Sequence, residues 1–317
     1  MSNGSHILAV AILLASLAGS QAWGAADGSS PSTATSHSAE TSSDTSEKLQ
    51  EVTVTAQRAK LADRLTAFVS KISGPLFDGG LPLWGQPVCP LVTGLAQEED
   101  EFIVGRVSDI ARTARVPLVG GKCHPNLYIL VTLQPQELLK TMMAEQNRLF
   151  TFGISYEPID GTPIVPSHMV LNEFISKPGP VRVLYRDAPV APSGVRPIVH
   201  AAKVGPITYS GDAWTGDSSW YLFRVFVIVD ASLLKGVTLG QLADYAALVG
   251  LTEIHPVDSL ADAPTILQLF NGTPQAAPAG MTDWDRAFLK SLYTTRQHKP
   301  AQQRWHVVQA MVNEVAH

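Results

Sequence analysis

Apolar residues recur at helical spacing in several stretches of the chain. Over 61–72, Leu61, Leu65, Phe68 and Ile72 share a face, and Gly74 and Pro75 follow as terminators. The clearest pattern spans 97–116, where Ile103, Val107, Ile110 and Ala114 repeat behind a first turn of Glu98, Glu99, Asp100 and Glu101. Negative charge at that end suits the helix dipole. Pro135 stands at a favourable first-turn position for a helix over 135–149. Thr238 followed by Gln241 forms a capping box for a helix to Val249, with Gly250 placed to stop it. Two more helices are predicted near the C-terminus. One covers 281–293, with Thr282 as cap and Trp284, Phe288 and Leu292 inside. The other covers 301–315 and carries Trp305, Val308, Val312 and Val315.

Strand-like runs lie between these helices. Residues 87–92 (PVCPLV) read as a strand with proline at its entrance, and 126–132 (NLYILVT) as a buried strand. Shorter β-prone pieces occur over 181–185 and 198–204, and 221–230 (YLFRVFVIVD) is the strongest late strand. The sequence therefore predicts an α+β fold, a mixed sheet with packed helices and a C-terminal helical segment. It is read as one domain over 60–317, with a sub-boundary near 155–180 where Pro and Gly are dense.

The first sixty residues differ in kind. Residues 7–18 (ILAVAILLASLA) have the length of a signal-peptide apolar core and are too short to span a bilayer; the leader is placed at 1–24, with cleavage before Ala25. Residues 25–59 read as a Ser/Thr-rich disordered linker. Within it, Glu51-Val52-Thr53-Val54-Thr55-Ala56 is β-prone and suited to strand addition at a partner's sheet edge. That stretch resembles the TonB box of outer-membrane TonB-dependent receptors, which would imply a periplasmic or TonB-system protein partner in a Gram-negative bacterium. No downstream segment has the length and apolarity of a membrane span, so the mature chain is expected in the periplasm or outside the cell.

Composition narrows the function classes. Of 317 residues, 45% are hydrophobic and 16% charged, and 28 acidic residues against 23 Lys and Arg leave a net charge of −5. That balance argues against nucleic acid as a partner. Two cysteines exclude a disulfide-dense scaffold and a Cys-rich zinc module. Cys89 and Cys123 flank the 97–116 helix. Pairing them would tie neighbouring strands together in an exported protein; the alternative is two separately buried thiols.

Candidate chemistry is sparse. There is no GxSxG, CxxC, GxGxxG, Walker loop or HExxH, and the nine histidines lack the i, i+4 spacing of a helical metal site. The acidic run 98–101 reads as a solvated helix start, because consecutive residues point in different directions. The polar loop 208–220 holds Tyr209, Trp214 and Trp220 beside Asp212 and Asp217, a possible sugar or peptide shelf or simply a surface loop pinned by its aromatics.

The order of elements, with the stretch 243–253 (ADYAALVGLTE), resembles zincin-like metallopeptidase domains, where the corresponding helix carries H-E-x-x-H-x-x-G-x-x-H. Met281, Thr282 and Asp285, with Leu292-Tyr293, resemble the segment that closes such domains, and the chain from Pro87 onward resembles exported proteobacterial proteins with a degenerate zincin-like domain. The resemblance puts Ala243 and Ala247 where two zinc-binding imidazoles would stand, Asp244 at the general-base position and Glu253 at the third-ligand position, with His255 nearby. Alanine offers no lone pair, so the resemblance implies a scaffold without the usual metal centre. Two readings follow: a non-catalytic binding or envelope-associated protein, or an atypical metal-dependent hydrolase, with zinc the metal the resemblance implies, using Asp244, Glu253 and His255 or the loop 208–220.

Overall fold

The computed structural model describes residues 41–73, 81–145, 174–190, 219–254, 260, 263–272, 274–295 and 300–316. The chain divides into two compact units, Met1–Gln50 and Glu51–His317. In the first, the described residues 41–50 form the opening turns of helix α1, Thr41–Ile72. Over 41–59 the expected linker, with the strand at Glu51–Ala56, is therefore corrected: these residues are helical, while 25–40 lie outside the described residues. Helix formers cluster after it (Ala56, Gln57, Arg58, Ala59, Lys60, Leu61, Ala62), and the C-terminal turns are anchored by buried Leu65, Phe68, Val69 and Ile72. A helix anchored at one end propagates cheaply through a few β-branched residues, because nucleation is its costly step. The leader lies outside the described residues.

In the second unit the described strands form one five-stranded sheet. These are β1 (Leu83–Trp84), β2 (Pro90–Thr93), β3 (Leu127–Thr132), β4 (Val181–Val190) and β5 (Ser219–Asp230). β5 is central. On one side it pairs in parallel with β1 at Tyr221 and Leu222 and with β3 from Val225 to Asp230; on the other it pairs antiparallel with β4, with a bulge at Arg186/Asp187. β3 pairs in parallel with β2, which forms the sheet's far edge. The sheet is thus mostly parallel. Helix α2 (Gln97–Thr113) makes the crossover from β2 to β3, and α3 (Pro135–Glu145) follows β3. The expected piece at 198–204 and, of the sub-boundary near 155–180, residues 155–173 lie outside the described residues.

Period two in the strands sorts the core onto two faces. Leu127, Ile129 and Val131 of β3 and Val225, Val227 and Val229 of β5 pack with buried residues of α1, α2 and three later helices. These are α4 (Leu239–Leu251), α5 (Asp283–Thr294) and α6 (Pro300–Val315). Phe226 and Ile228 face the other way, onto Leu139 of α3 and Phe174. Aromatic edges bind α1 to α5: Phe68 meets Trp284 at 5.5 Å and Phe288 at 6.2 Å between ring centroids.

Local signals hold where the chemistry is local. Thr238 Oγ1 accepts from Gln241 N at 3.1 Å while Thr238 N donates back to Gln241 Oε1 at 3.0 Å. Two expectations are corrected. Gly250 does not stop α4, which runs on to Leu251. The carbonyls of its last turn are satisfied from outside the helix, Gly250 O by Trp84 Nε1 at 3.0 Å and Leu251 O by the Tyr293 hydroxyl at 2.7 Å. A left-handed cap is therefore not needed. Gly250 is small because the helix presses on β3: a Cβ there would lie 2.9 Å from Leu127 Cδ1. In α6 the inward stripe runs through Val307, Val308, Met311 and Val312, which turns Trp305 outward at 61% exposure.

Candidate functional site

The sequence-predicted centre is built around α4. Asp244 is 1% exposed although it lies on an otherwise uncharged helix. Its Oδ1 accepts from Arg106 Nε at 2.6 Å, and its Oδ2 accepts from Arg106 Nη2 at 2.9 Å and from the Met281 amide at 2.7 Å. This is a fork-to-fork pair with a third, backbone donor, so the carboxylate is neutralised where it stands. The hydrogen bond to Asp244 raises the Arg106 guanidinium pKa further above its ordinary value. Close packing covers the carboxylate. A Cβ on Gly280 would lie 2.5 Å from Asp244 Oδ2. One carboxylate thus ties α2, α4 and the entrance to α5 together.

The neighbouring positions have structural work as well. Ala243 and Ala247 are fully buried in the core, so the two positions assigned to imidazoles by the resemblance face packed apolar side chains. Thr282 caps α5, and the fully buried Asp285 carboxylate accepts from Thr265 Oγ1 (2.5 Å), Ile266 N (2.8 Å), Thr282 N (2.9 Å) and Thr282 Oγ1 (2.9 Å). Burial pushes the Asp285 pKa up against the pull of those donors. The Met281-Thr282-Asp285 motif is therefore a joint between α4, the 264–266 segment and α5. Glu253 is half-buried just after α4, next to Ile254, whose amide donates to the Tyr185 hydroxyl at 3.1 Å. Burial, helped by the Glu253 charge, holds the Tyr185 phenol well above its ordinary pKa.

His255 lies outside the described residues, as do Tyr209, Asp212, Trp214 and Asp217. Trp220 is described in β5, paired in register with Pro189. Among the described residues no group of three or more His, Cys, Asp or Glu is placed to hold a metal ion. Nor is any described helix long and apolar enough to cross a membrane. Cys89 and Cys123 form a disulfide, with Cα atoms 6.1 Å apart.

A second feature lies at the opposite side of α2 from Arg106. An open groove of about 650 Å³ runs between the edge strand β2 and this helix. Pro90, Leu91, Val92 and Leu95 line its strand side, and its helix side is a stripe at three- and four-residue spacing from Gln97 to Arg112. Asp100, Glu101 and Asp109 bring carboxylates to that stripe, and Gly105 sits at its middle. The acidic helix start read from sequence as merely solvated thus contributes to a concave surface. Gly105, a glycine inside a well-patterned helix, was the one local signal for it.

Backbone alternation sets the polarity of the β2 edge. Cys89 faces β3, accepting from Leu127 N at 3.3 Å, whereas Val88 faces outward, donating to Pro117 O at 2.8 Å and accepting from Val119 N at 3.0 Å. Two-residue periodicity then turns the Pro90 carbonyl and the Val92 amide and carbonyl outward, past the end of the 117–119 cover. Gly94 ends the strand at φ +111°, where a Cβ would fall 1.8 Å from Val131 O, so only glycine makes this turn into α2.

Compared with family models, curated proteins and solved structures, the chain has no match.

Proposed function

We propose that this chain is an exported protein that acts by binding, not catalysis, on a scaffold that keeps the zincin-like order of elements without its metal centre. One observation carries the reading: Asp244, the residue at the general-base position of the resemblance, is held by the bidentate Arg106 pair and the Met281 amide in the interior. A general base needs a free lone pair directed at water or substrate. Asp244 spends its lone pairs on the fold. The buried alanines at 243 and 247 support the same reading, since an imidazole in either place would have to displace core side chains. Export is supported by the apolar run 7–18 and by the Cys89–Cys123 disulfide, a bond that persists in oxidising compartments.

Metal analysis of the purified mature protein tests this. Zinc should be sub-stoichiometric, and Asp244→Ala and His255→Ala should not change it. One zinc per chain, lost in either variant, would end the reading of a scaffold without a metal centre.

A further inference from the structure

We propose that the groove between β2 and α2 receives an extended, lysine- or arginine-bearing peptide segment, which adds to β2 as a further strand. The inference rests on the binding reading and gives it a partner class.

Three independent observations meet at the groove. The first is the backbone edge. Among the described residues β2 pairs with β3 alone, and beyond Val88 strand alternation turns the Pro90 carbonyl and both polar groups of Val92 to its outer edge. An exposed strand edge beside a concave surface is the geometry that strand addition uses. The second is Gly105. Glycine inside a helix costs about 1 kcal/mol relative to alanine. At Gly250 the chain itself explains the missing side chain; at Gly105 a Cβ would meet nothing within 4 Å. Nothing in this fold fills that space, so the groove floor is low and open at Gly105.

The third observation is charge. Asp100, Glu101 and Asp109 line the groove against one guanidinium, Arg112, which already pairs with Asp109. The surplus is negative, and it disfavours anionic lipid and nucleic acid while favouring a cationic segment. Strand addition and the charge pattern together define the occupant. Alternate side chains of an added strand would point toward α2 and its carboxylates, and the others outward. Leu91, 38% exposed, and half-buried Val104 supply apolar contact at the two walls.

The test uses the full mature chain and a fluorescein-labelled peptide of alternating lysine and valine, with the glutamate–valine counterpart as control. Anisotropy titrations should show saturable binding of the lysine peptide that weakens as salt rises. In Gly105→Leu, and separately in Glu101→Lys/Asp109→Lys, affinity should drop by about tenfold or more. All three positions are on the helix surface, and far-UV circular dichroism verifies folding of each variant. Gly105→Ala, which only slightly raises the floor, should bind nearly as well as wild type. In ¹⁵N spectra the Val92 amide should shift and its exchange should slow when the peptide binds.

Equal binding of the glutamate peptide would overturn the proposal, as would binding that ignores Gly105→Leu. Charge-dependent binding that leaves Val92 unmoved would mean surface attraction only, and no binding at all would remove the occupant. None of these results bears on the zinc measurement, so this inference and the binding reading fail separately.

Discussion

Removing the guanidinium of Arg106 is the most informative single perturbation of this molecule. In Arg106→Leu, Asp244 keeps one of its three donors, the Met281 amide, and stays almost wholly out of water. Stranding a buried charge in this way costs about 3–5 kcal/mol in general. The arginine side chain is 44% exposed, however, so water can reach the vacated side and the estimate falls to about 2–3 kcal/mol. Asp244→Ala should cost a similar amount for another reason. It leaves the Met281 N–H unmatched in the interior, worth about 1–3 kcal/mol, while the guanidinium relaxes into solvent. Because both variants lose the same interaction, the double variant should be more stable than the sum of the two by about 1–3 kcal/mol. Urea unfolding at neutral pH, followed by the fluorescence of buried Trp84 and Trp284, measures all three. If Arg106→Leu shifts stability by less than about 0.5 kcal/mol, the pair is not what holds Asp244, and its carboxylate is available for chemistry after all.

Other outcomes follow from single positions. Gly250→Ala should destabilise the fold by about 1 kcal/mol, since overpacking against Leu127 at 2.9 Å outweighs the gain in helix propensity, whereas Gly105→Ala, with open space above it, should stabilise by about 0.5–1 kcal/mol; opposite signs in one denaturation series are the check. Cys89→Ser/Cys123→Ser opens a loop of 34 residues and should cost about 4 kcal/mol in the chain-entropy model, readable as a lower urea midpoint and equalled by reducing the wild type. Burial pushes Tyr245 up to about 12. Its neutral phenol therefore favours the folded state fully below pH ~10, and this contribution, at most about 2–3 kcal/mol, drains away between pH ~10 and ~12. Tyr245→Phe should flatten the stability profile in that window; an unchanged slope would refute the assignment.

What could be read from the sequence divides along a physical line. Thr238 with Gln241 and Thr282 with Asp285 cap their helices because both partners lie within one turn, and Pro135 opens α3 because a prolyl ring suits a first turn. The strands over 127–132 and 219–230 announced themselves by apolar and β-branched content. Interactions across the fold left no such trace. Nothing near Asp244 indicates that its partner is 138 residues away, and the only hint was a charge set among Leu, Ala and Val. Gly250 was misread because a glycine pressed against a strand looks, in one dimension, like a glycine that ends a helix. The β-branched run at 52–55 suggested a strand; the helix anchored behind it decided otherwise. The groove needs the sheet order, which places β2 at an edge, and sheet order is a property of the whole fold.

The disulfide has a mechanical consequence. It closes a covalent ring that begins at the entrance to β2, contains all of α2 and returns just before β3. A chain pulled from its two ends carries tension through the sulfur–sulfur bridge and not around this ring. Fully stretched, the oxidised protein should be shorter than the reduced one by roughly 110 Å, the reach of the 34-residue loop at about 3.5 Å per residue less the span of the bridge. In a chain under tension the β2–α2 segment would thus be slack while its neighbours are taut. A break in the backbone inside the ring would leave both pieces attached.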